Sequence, residues 1–254
     1  MKLRVLGCSG GISEGLKTTS LLVNDKILVD AGTGIGDLPL DTLKNIRTIF
    51  VTHSHLDHIC GIPLLVDTIF DYLDQPLVVY GGAETIKALR EHVFNNVIWP
   101  DFTCLPTKQK PVLSLQVIEM HKTITIDGID FETIPVNHVV PACGYRLTNS
   151  SGVIAFSGDT TTNDSFWDAL NRGPALNLLI VEAAFPNADL ELCKLARHYC
   201  PSLLAEDLKK LKHNPKIYLT HSKPGAEAEI FAECRALIPE RDLKQLVGGE
   251  IFQI

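Results

Sequence analysis

The chain holds 254 residues with a formal net charge of −7; 45% of the residues are apolar and 21% charged. These proportions exclude a disordered or fibrous protein and allow one domain or two small ones. The acidic balance weighs against a nucleic-acid polymer as partner, because grip on a phosphate backbone draws on clustered Lys and Arg.

No apolar run approaches the roughly 18 residues that span a bilayer. The N-terminal segment reaches Gly7 after two apolar residues, too short for a signal-peptide core. A cytoplasmic location is expected. Seven Cys (8, 60, 104, 143, 193, 200, 234) are scattered, with no Cys-x-x-Cys, and fit a reduced chain with buried thiols. Nine His remain to be explained.

Leu3–Leu6 reads as a strand ending in Gly7-Cys8-Ser9-Gly10-Gly11. Thr19–Val23 and Lys26–Asp30 read as two strands around the turn pair Asn24-Asp25, the second running into Ala31-Gly32-Thr33-Gly34. Asn45–Val51 is a short apolar strand that stops at Thr52-His53. An apolar stripe over Ile59–Leu73 predicts a helix with Pro63 early in it. Leu77–Tyr80 reads as a strand and Ala83–His92 as a helix. From His121 to Val136 the pattern alternates as strands do, with a turn at Asp127-Gly128. Cys143–Thr148 and Val153–Ser157 predict a hairpin around Asn149-Ser150-Ser151-Gly152. Leu176–Val181 is a strand, Pro201–Leu211 a helix and Lys216–Thr220 a strand. Two strand-rich halves, each with helices, predict two sheets packed face to face with helices outside.

The central motif is Thr52-His53-Ser54-His55-Leu56-Asp57-His58, directly after a buried strand. Imidazole nitrogen and carboxylate oxygen suit zinc, iron or manganese. His53 and His55 can clamp one ion while Asp57 and His58 clamp a second; the competing reading is a run of solvated turn residues. Four donors do not complete two sites. His138, Asp159 and His221 each follow an apolar strand, as the first cluster does, and are candidates for the rest.

The order HSHLDH, a later His, GDT and a later THS resembles the metallo-β-lactamase fold superfamily. The resemblance covers nearly the whole chain, including the LGCSGG loop and ILVDAGTG. It implies an α/β fold, an αββα sandwich of two mixed sheets, over 1–254 as a single domain. It also implies two divalent ions, zinc first, with manganese or iron possible. One would take His53, His55 and His138, the other Asp57, His58 and His221, with Asp159 bridging.

The third motif separates branches of this superfamily. Asn137-His138-Val139-Val140-Pro141-Ala142-Cys143-Gly144-Tyr145-Arg146 is similar to the phosphodiesterase branch, which includes tRNA 3′-processing endonucleases and class II-type cyclic-nucleotide phosphodiesterases. Val181-Glu182-Ala183-Ala184 keeps only part of the endonuclease His-Glu-Ala-Thr motif, and no basic arm intervenes before it. HSHLDHICG instead resembles the cyclic-nucleotide phosphodiesterase signature, as do the segments Glu182–Asn187 and Arg197–Pro201. Pro63, Val66 and Asp67 depart from that signature. The implied substrate is a small cyclic phosphodiester, with a homodimer open.

The resemblance implies that two metals screen the phosphodiester charge and activate a bridging water. Asp57 would bind metal and orient the nucleophile. His198, oriented by Glu182, would be the general acid; a surface His at a helix start is the plain alternative. Arg146 could bind phosphate or pair with a carboxylate on a neighbouring strand. Phe94, Trp99 and Phe102 could stack on a base or cover a sheet edge or dimer contact. Ser222 and Lys223 could touch substrate or form a solvated turn. The Gly7–Gly11 loop reads as a tight turn beside the metals rather than a phosphate loop, Cys60 as an inert buried thiol, and Asp67 and Asp71 as a solvated helix face. Competing functions are a tRNA 3′-endonuclease, a lactonase or thioesterase, a non-enzymatic metal-binding protein and a diiron redox protein.

Overall fold

The computed structural model describes residues 1–254. Five strands open it: β1 (Lys2–Gly7), β2 (Ser20–Val23), β3 (Ile27–Val29), β4 (Thr48–Phe50) and β5 (Leu77–Gly81). A ribbon of β6 (Pro106–Thr107) and β7 (Lys110–Pro111) precedes β8 (Leu113–Val117). The second sheet holds β9 (Thr123–Ile126), β10 (Ile129–Val136), β11 (Ala142–Asn149), β12 (Gly152–Phe156), β13 (Leu178–Glu182), β14 (Lys216–Thr220) and β15 (Leu243–Gln245). The last strand, β16 (Ile251–Gln253), returns to the edge of the first sheet.

The two sheets have one plan. The first runs β16-β1-β2-β3-β4-β5-β8 and the second β9-β10-β11-β12-β13-β14-β15. In each, the first four strands pair antiparallel and the remaining connections are parallel. The hairpin β9–β10 turns at Asp127 and Gly128, both at positive φ, and β11–β12 turns through Asn149 to Gly152, as expected.

Helices cover the outer faces. They are α1 (Leu40–Leu43), α2 (Leu56–Ile59), α3 (Gly61–Ile69), α4 (Ala83–Ala88), α5 (Ser165–Arg172), α6 (Leu190–Ala196), α7 (Pro201–Leu208) and α8 (Glu227–Leu237). Ile62, Leu65, Val66 and Ile69 of α3 join strand residues in one outer core, and Phe166, Trp167, Leu204 and Ile230 join the other sheet in a second. Between the sheets lies a third core, in which Phe50 stacks on Phe131 at 4.1 Å. The architecture is the αββα sandwich the sequence predicts.

Three details differ from expectation. The helix expected over Ile59–Leu73 is divided into α2, α3 and a 3₁₀ turn at Phe70–Tyr72. The division has a cause at Ala31: it accepts from Gly61 N and donates to His58 O, both at 2.7 Å, while Pro63 offers no amide to the turn before it. Helices α1, α5, α6 and α8 and strands β6, β7, β8, β15 and β16 lie outside the predicted set; the strands are two to five residues long and the helices span one to three turns. Phe94 and Phe102 are buried in the first outer core, with Trp99 packed against it, so their role is covering the sheet and not base stacking.

Beneath α7 a polar group is buried and fully partnered. Asp207 accepts from Tyr199 Oη at 2.6 Å, Trp167 Nε1 at 3.1 Å and Asn163 N at 3.0 Å, and pairs with Lys210 at 2.7 Å. Asp207→Ala strands the buried Tyr199 hydroxyl and leaves the Trp167 indole N–H only its longer bond to Tyr199 Oη at 3.3 Å, and is expected to lower unfolding free energy by about 2–4 kcal/mol. Urea denaturation measures this; a loss below about 0.5 kcal/mol would place the network at the margin of stability.

Candidate metal centre

Five of the seven candidate donors sit where a strand ends. His53 and His55 follow β4, His138 follows β10, Asp159 follows β12 and His221 follows β14. Asp57 and His58 lie in α2, whose N-cap is His55. The sheets bring these ends together. His53, His55, His138 and Asp159 form one group, and Asp57, His58, Asp159 and His221 a second, each with its donor atoms within 4.8 Å of one another. Asp159 belongs to both.

Asp159 Oδ2 stands 3.1 Å from His221 Nε2, 3.3 Å from His58 Nε2 and 3.7 Å from His53 Nε2. His138 Nε2 faces His55 Nδ1 at 3.2 Å. The Nε2 atoms of His53 and His58 are buried without an aligned hydrogen-bond partner. Buried nitrogens left open toward shared carboxylates are the donor set of a divalent metal site. The residues present fit the metals.

The opposite ring nitrogens are held from outside, as metal-ligating imidazoles require. Asp30 Oδ2 lies 2.7 Å from His58 Nδ1. Asp30 also accepts from Thr52 N at 2.8 Å and Thr52 Oγ1 at 2.9 Å. Thr52 Oγ1 is 3.0 Å from His53 Nδ1, and Arg197 O is 3.0 Å from His138 Nδ1. Thr19 Oγ1 is 3.4 Å from His221 Nδ1.

Burial holds His53 well below the usual imidazole range, His138 at about 4 and His221 at about 3. These rings are neutral at pH 7, with lone pairs to offer. Burial also presses on His58, but Asp159 and Asp30 outweigh it and hold its pKa well above the ordinary value. Asp159 is likewise buried, yet its His neighbours keep it well below the carboxylate range.

Beside the donors lies the pair His198 and Glu182, with Nδ1 and Oε1 2.7 Å apart. The His198 ring stacks on His221 at 5.3 Å and meets His138 edge-on at 4.9 Å. Glu182 is fully buried and also accepts from Thr160 N at 2.7 Å and Tyr199 N at 3.1 Å. Burial raises the Glu182 pKa; for His198 burial pulls down but the Glu182 charge prevails and raises it.

Close backbone approach completes the site. A Cβ on Gly10 would stand 2.3 Å from His221 O, and one on Gly32 equally close to Asp57 O, so both loops pack on the donors through glycine. The opening loop is thus the tight turn expected. Other candidates have structural partners of their own. Arg146 pairs with Glu132 across β10–β11 and donates to Ala169 O at 2.8 Å, which corrects the phosphate-binding alternative. Ser222 Oγ donates to Ala183 O and Lys223 Nζ to Gly10 O, so both serve the turn. Cys60 is half-buried with a raised pKa, and Asp67 and Asp71 are exposed. Sequence reasoning missed Asp30, Thr19 and Arg197. Only Asp30 carried a signal, as the polar end of an apolar strand.

A family model described as "Beta-lactamase superfamily domain" matches residues 25–236. The "Probable 3',5'-cyclic-nucleotide phosphodiesterase" of Yersinia pestis is 26% identical over 299 aligned residues, covering 98% of this chain and 82% of its own. The structure of unliganded yeast PDE1 is similar at TM-score 0.82 and 21% identity, covering 100% of this chain and 99% of that one. Human tRNase Z, short form, reaches 0.73 at 19% identity, covering 100% and 99%. At such identities the two structures speak to the fold. No helix here is long and apolar enough to cross a membrane.

Zinc added to chelator-stripped protein is expected to raise the melting temperature, because it binds the folded state. Asp30→Asn removes the charged acceptor from His58 Nδ1 and is expected to weaken zinc affinity about 10–100-fold. Competition against a chelator measures it; wild-type affinity in this variant would show that the outer hydrogen bond is dispensable.

Proposed function

Because this chain belongs to the beta-lactamase superfamily, we propose that it is a dinuclear metal-dependent phosphodiesterase acting on a small cyclic phosphodiester, a 3′,5′-cyclic nucleotide. The observation that carries this reading is the pair of donor groups sharing Asp159, with His198–Glu182 packed against them. His53, His55 and His138 would hold one ion, Asp57, His58 and His221 the other, and Asp159 both. Zinc suits these donors first, and manganese or iron also fit. When bound, the ions screen the phosphodiester charge and supply an activated water.

The residues of the chain do the rest. Asp57 is the most exposed of the carboxylates here, with 30% of its side chain accessible, and it orients the proton of the attacking water. Glu182 takes Nδ1 of His198, leaving Nε2 to give a proton to the leaving ribose oxygen. The Glu182 carboxylate raises the pKa of that imidazole and so favours its charged, proton-donating form. Donors come from both halves of the chain, so we read 1–254 as one catalytic domain.

The relative from Yersinia pestis supports the substrate class through its printed name and coverage. A second reading, a tRNA 3′-endonuclease, is favoured by the likeness in fold to tRNase Z. Val181 and Ala184 around Glu182, and the acidic net charge, favour the small substrate.

Cyclic AMP and cyclic GMP are expected to be turned over, and precursor tRNA left intact; cleavage of the tRNA alone would reverse the choice. His198→Ala is expected to lower kcat on the cyclic nucleotide by about 10²–10⁴-fold with metal content intact. On bis-p-nitrophenyl phosphate, whose leaving group needs no proton, the loss is expected to be far smaller. Equal losses on both substrates would remove the acid role.

A further inference from the structure

Arg197 stands where a helix calls for glycine. It caps α6 in the left-handed conformation, with φ 52° and ψ 55°. Glycine occupies that conformation freely, whereas a residue with a Cβ does so under strain. An observed strain of this kind directs attention to what the side chain does in return.

The side chain and the carbonyl of Arg197 both engage one residue. Nη1 donates to the carbonyl oxygen of His138 at 3.0 Å, and Arg197 O accepts from His138 Nδ1 at 3.0 Å. The first bond pins the loop between β10 and β11. The second sets the ring's tautomer, which leaves Nε2 unprotonated and facing His55 Nδ1 at 3.2 Å. The left-handed turn is what aims the carbonyl. Arg197 N meanwhile donates back to Lys194 O at 3.2 Å, so the residue is anchored to the end of α6. Its neighbours His198 and Tyr199 are both bound by Glu182. Three consecutive residues therefore fasten a candidate metal donor on one side and the proton donor on the other.

We propose that Arg197 is a positioning residue for the metal group of His53, His55 and His138, acting through its two-point hold on His138. The proposal rests on the metal-site reading above. It separates two parts of one residue: the carbonyl, which any residue could supply, and the guanidinium, which only a cationic side chain can.

Arg197→Gly separates these parts. Glycine keeps the carbonyl in its left-handed turn and relieves the strain, so the variant removes the guanidinium without disturbing the second contact. In chelator competition, the wild-type protein is expected to bind two zinc ions. In Arg197→Gly one of the two affinities is expected to fall about 10–100-fold while the other holds. The metal-free melting temperature is expected not to fall below the wild-type value, because the turn is relieved, and Arg197→Lys to recover part of the lost affinity. Two wild-type affinities in Arg197→Gly would overturn the proposal. So would equal losses at both sites with a lowered metal-free melting temperature, which would assign the residue to the fold. A wild-type protein that binds no zinc would be a different failure, overturning the metal-site reading and this proposal with it.

Discussion

Asp159 is a carboxylate sealed among imidazole rings, with the Nε2 atoms of His221, His58 and His53 within 3.1–3.7 Å of one oxygen. Burying such a charge is costly unless opposite charge meets it. The arrangement makes physical sense only if positive charge gathers at that point, from protonated rings or from metal. The rest of the structure follows from bringing these donors together. They lie at the ends of β4, β10, β12 and β14, in two sheets, and those ends converge only when the sheets face each other over the Phe50–Phe131 core. The αββα architecture is thus the frame that a split donor set demands.

Convergence also requires backbone in uncommon conformations. Asp30, Arg197 and His221 have φ between 52° and 64°, and each sits against the donors. Such turns persist only where surrounding packing over-determines them. Here strands buried on both faces hold Asp30 and His221, and the Asp207 network lies beneath the segment that carries Arg197 to Tyr199. Stability built in the outer cores is spent at the site, where glycines at 10 and 32 let two loops approach within reach of the donors.

Much of this was legible in the sequence, and the boundary is physical. Period-two strands and the His-x-His-x-Asp-His cluster are local patterns, so the two-sheet sandwich could be read from residue spacing and the family likeness, and the seven candidate donors named from them are ones the fold brings together. What escaped depends on contacts distant in sequence. Arg146 is a phosphate ligand or a cross-strand partner depending only on what lies opposite, and Glu132 lies opposite. The aromatics of Phe94–Phe102 looked available for stacking because no local signal shows that α3 and β8 enclose them. The division of the long apolar helix depends on Ala31, 30 positions before Gly61. Arg197 was opaque because its partner is 59 positions away.

Glu182 shows why the candidate donors and His198 should be treated as one object. A single oxygen, Oε1, lies at 2.7 Å from both Thr160 N and His198 Nδ1. Thr160 follows Asp159, and His198 follows Arg197, which holds His138. A shift of the loop after β12 would therefore strain the hydrogen bond that orients His198, and a shift of His198 would strain the loop that carries Asp159. Residues bound in one network do not contribute independently. On the phosphodiesterase reading, the same coupling keeps the leaving-group proton in register with the metals, because both are referenced to one buried carboxylate. Precision of that kind comes from second contacts rather than from the donors themselves.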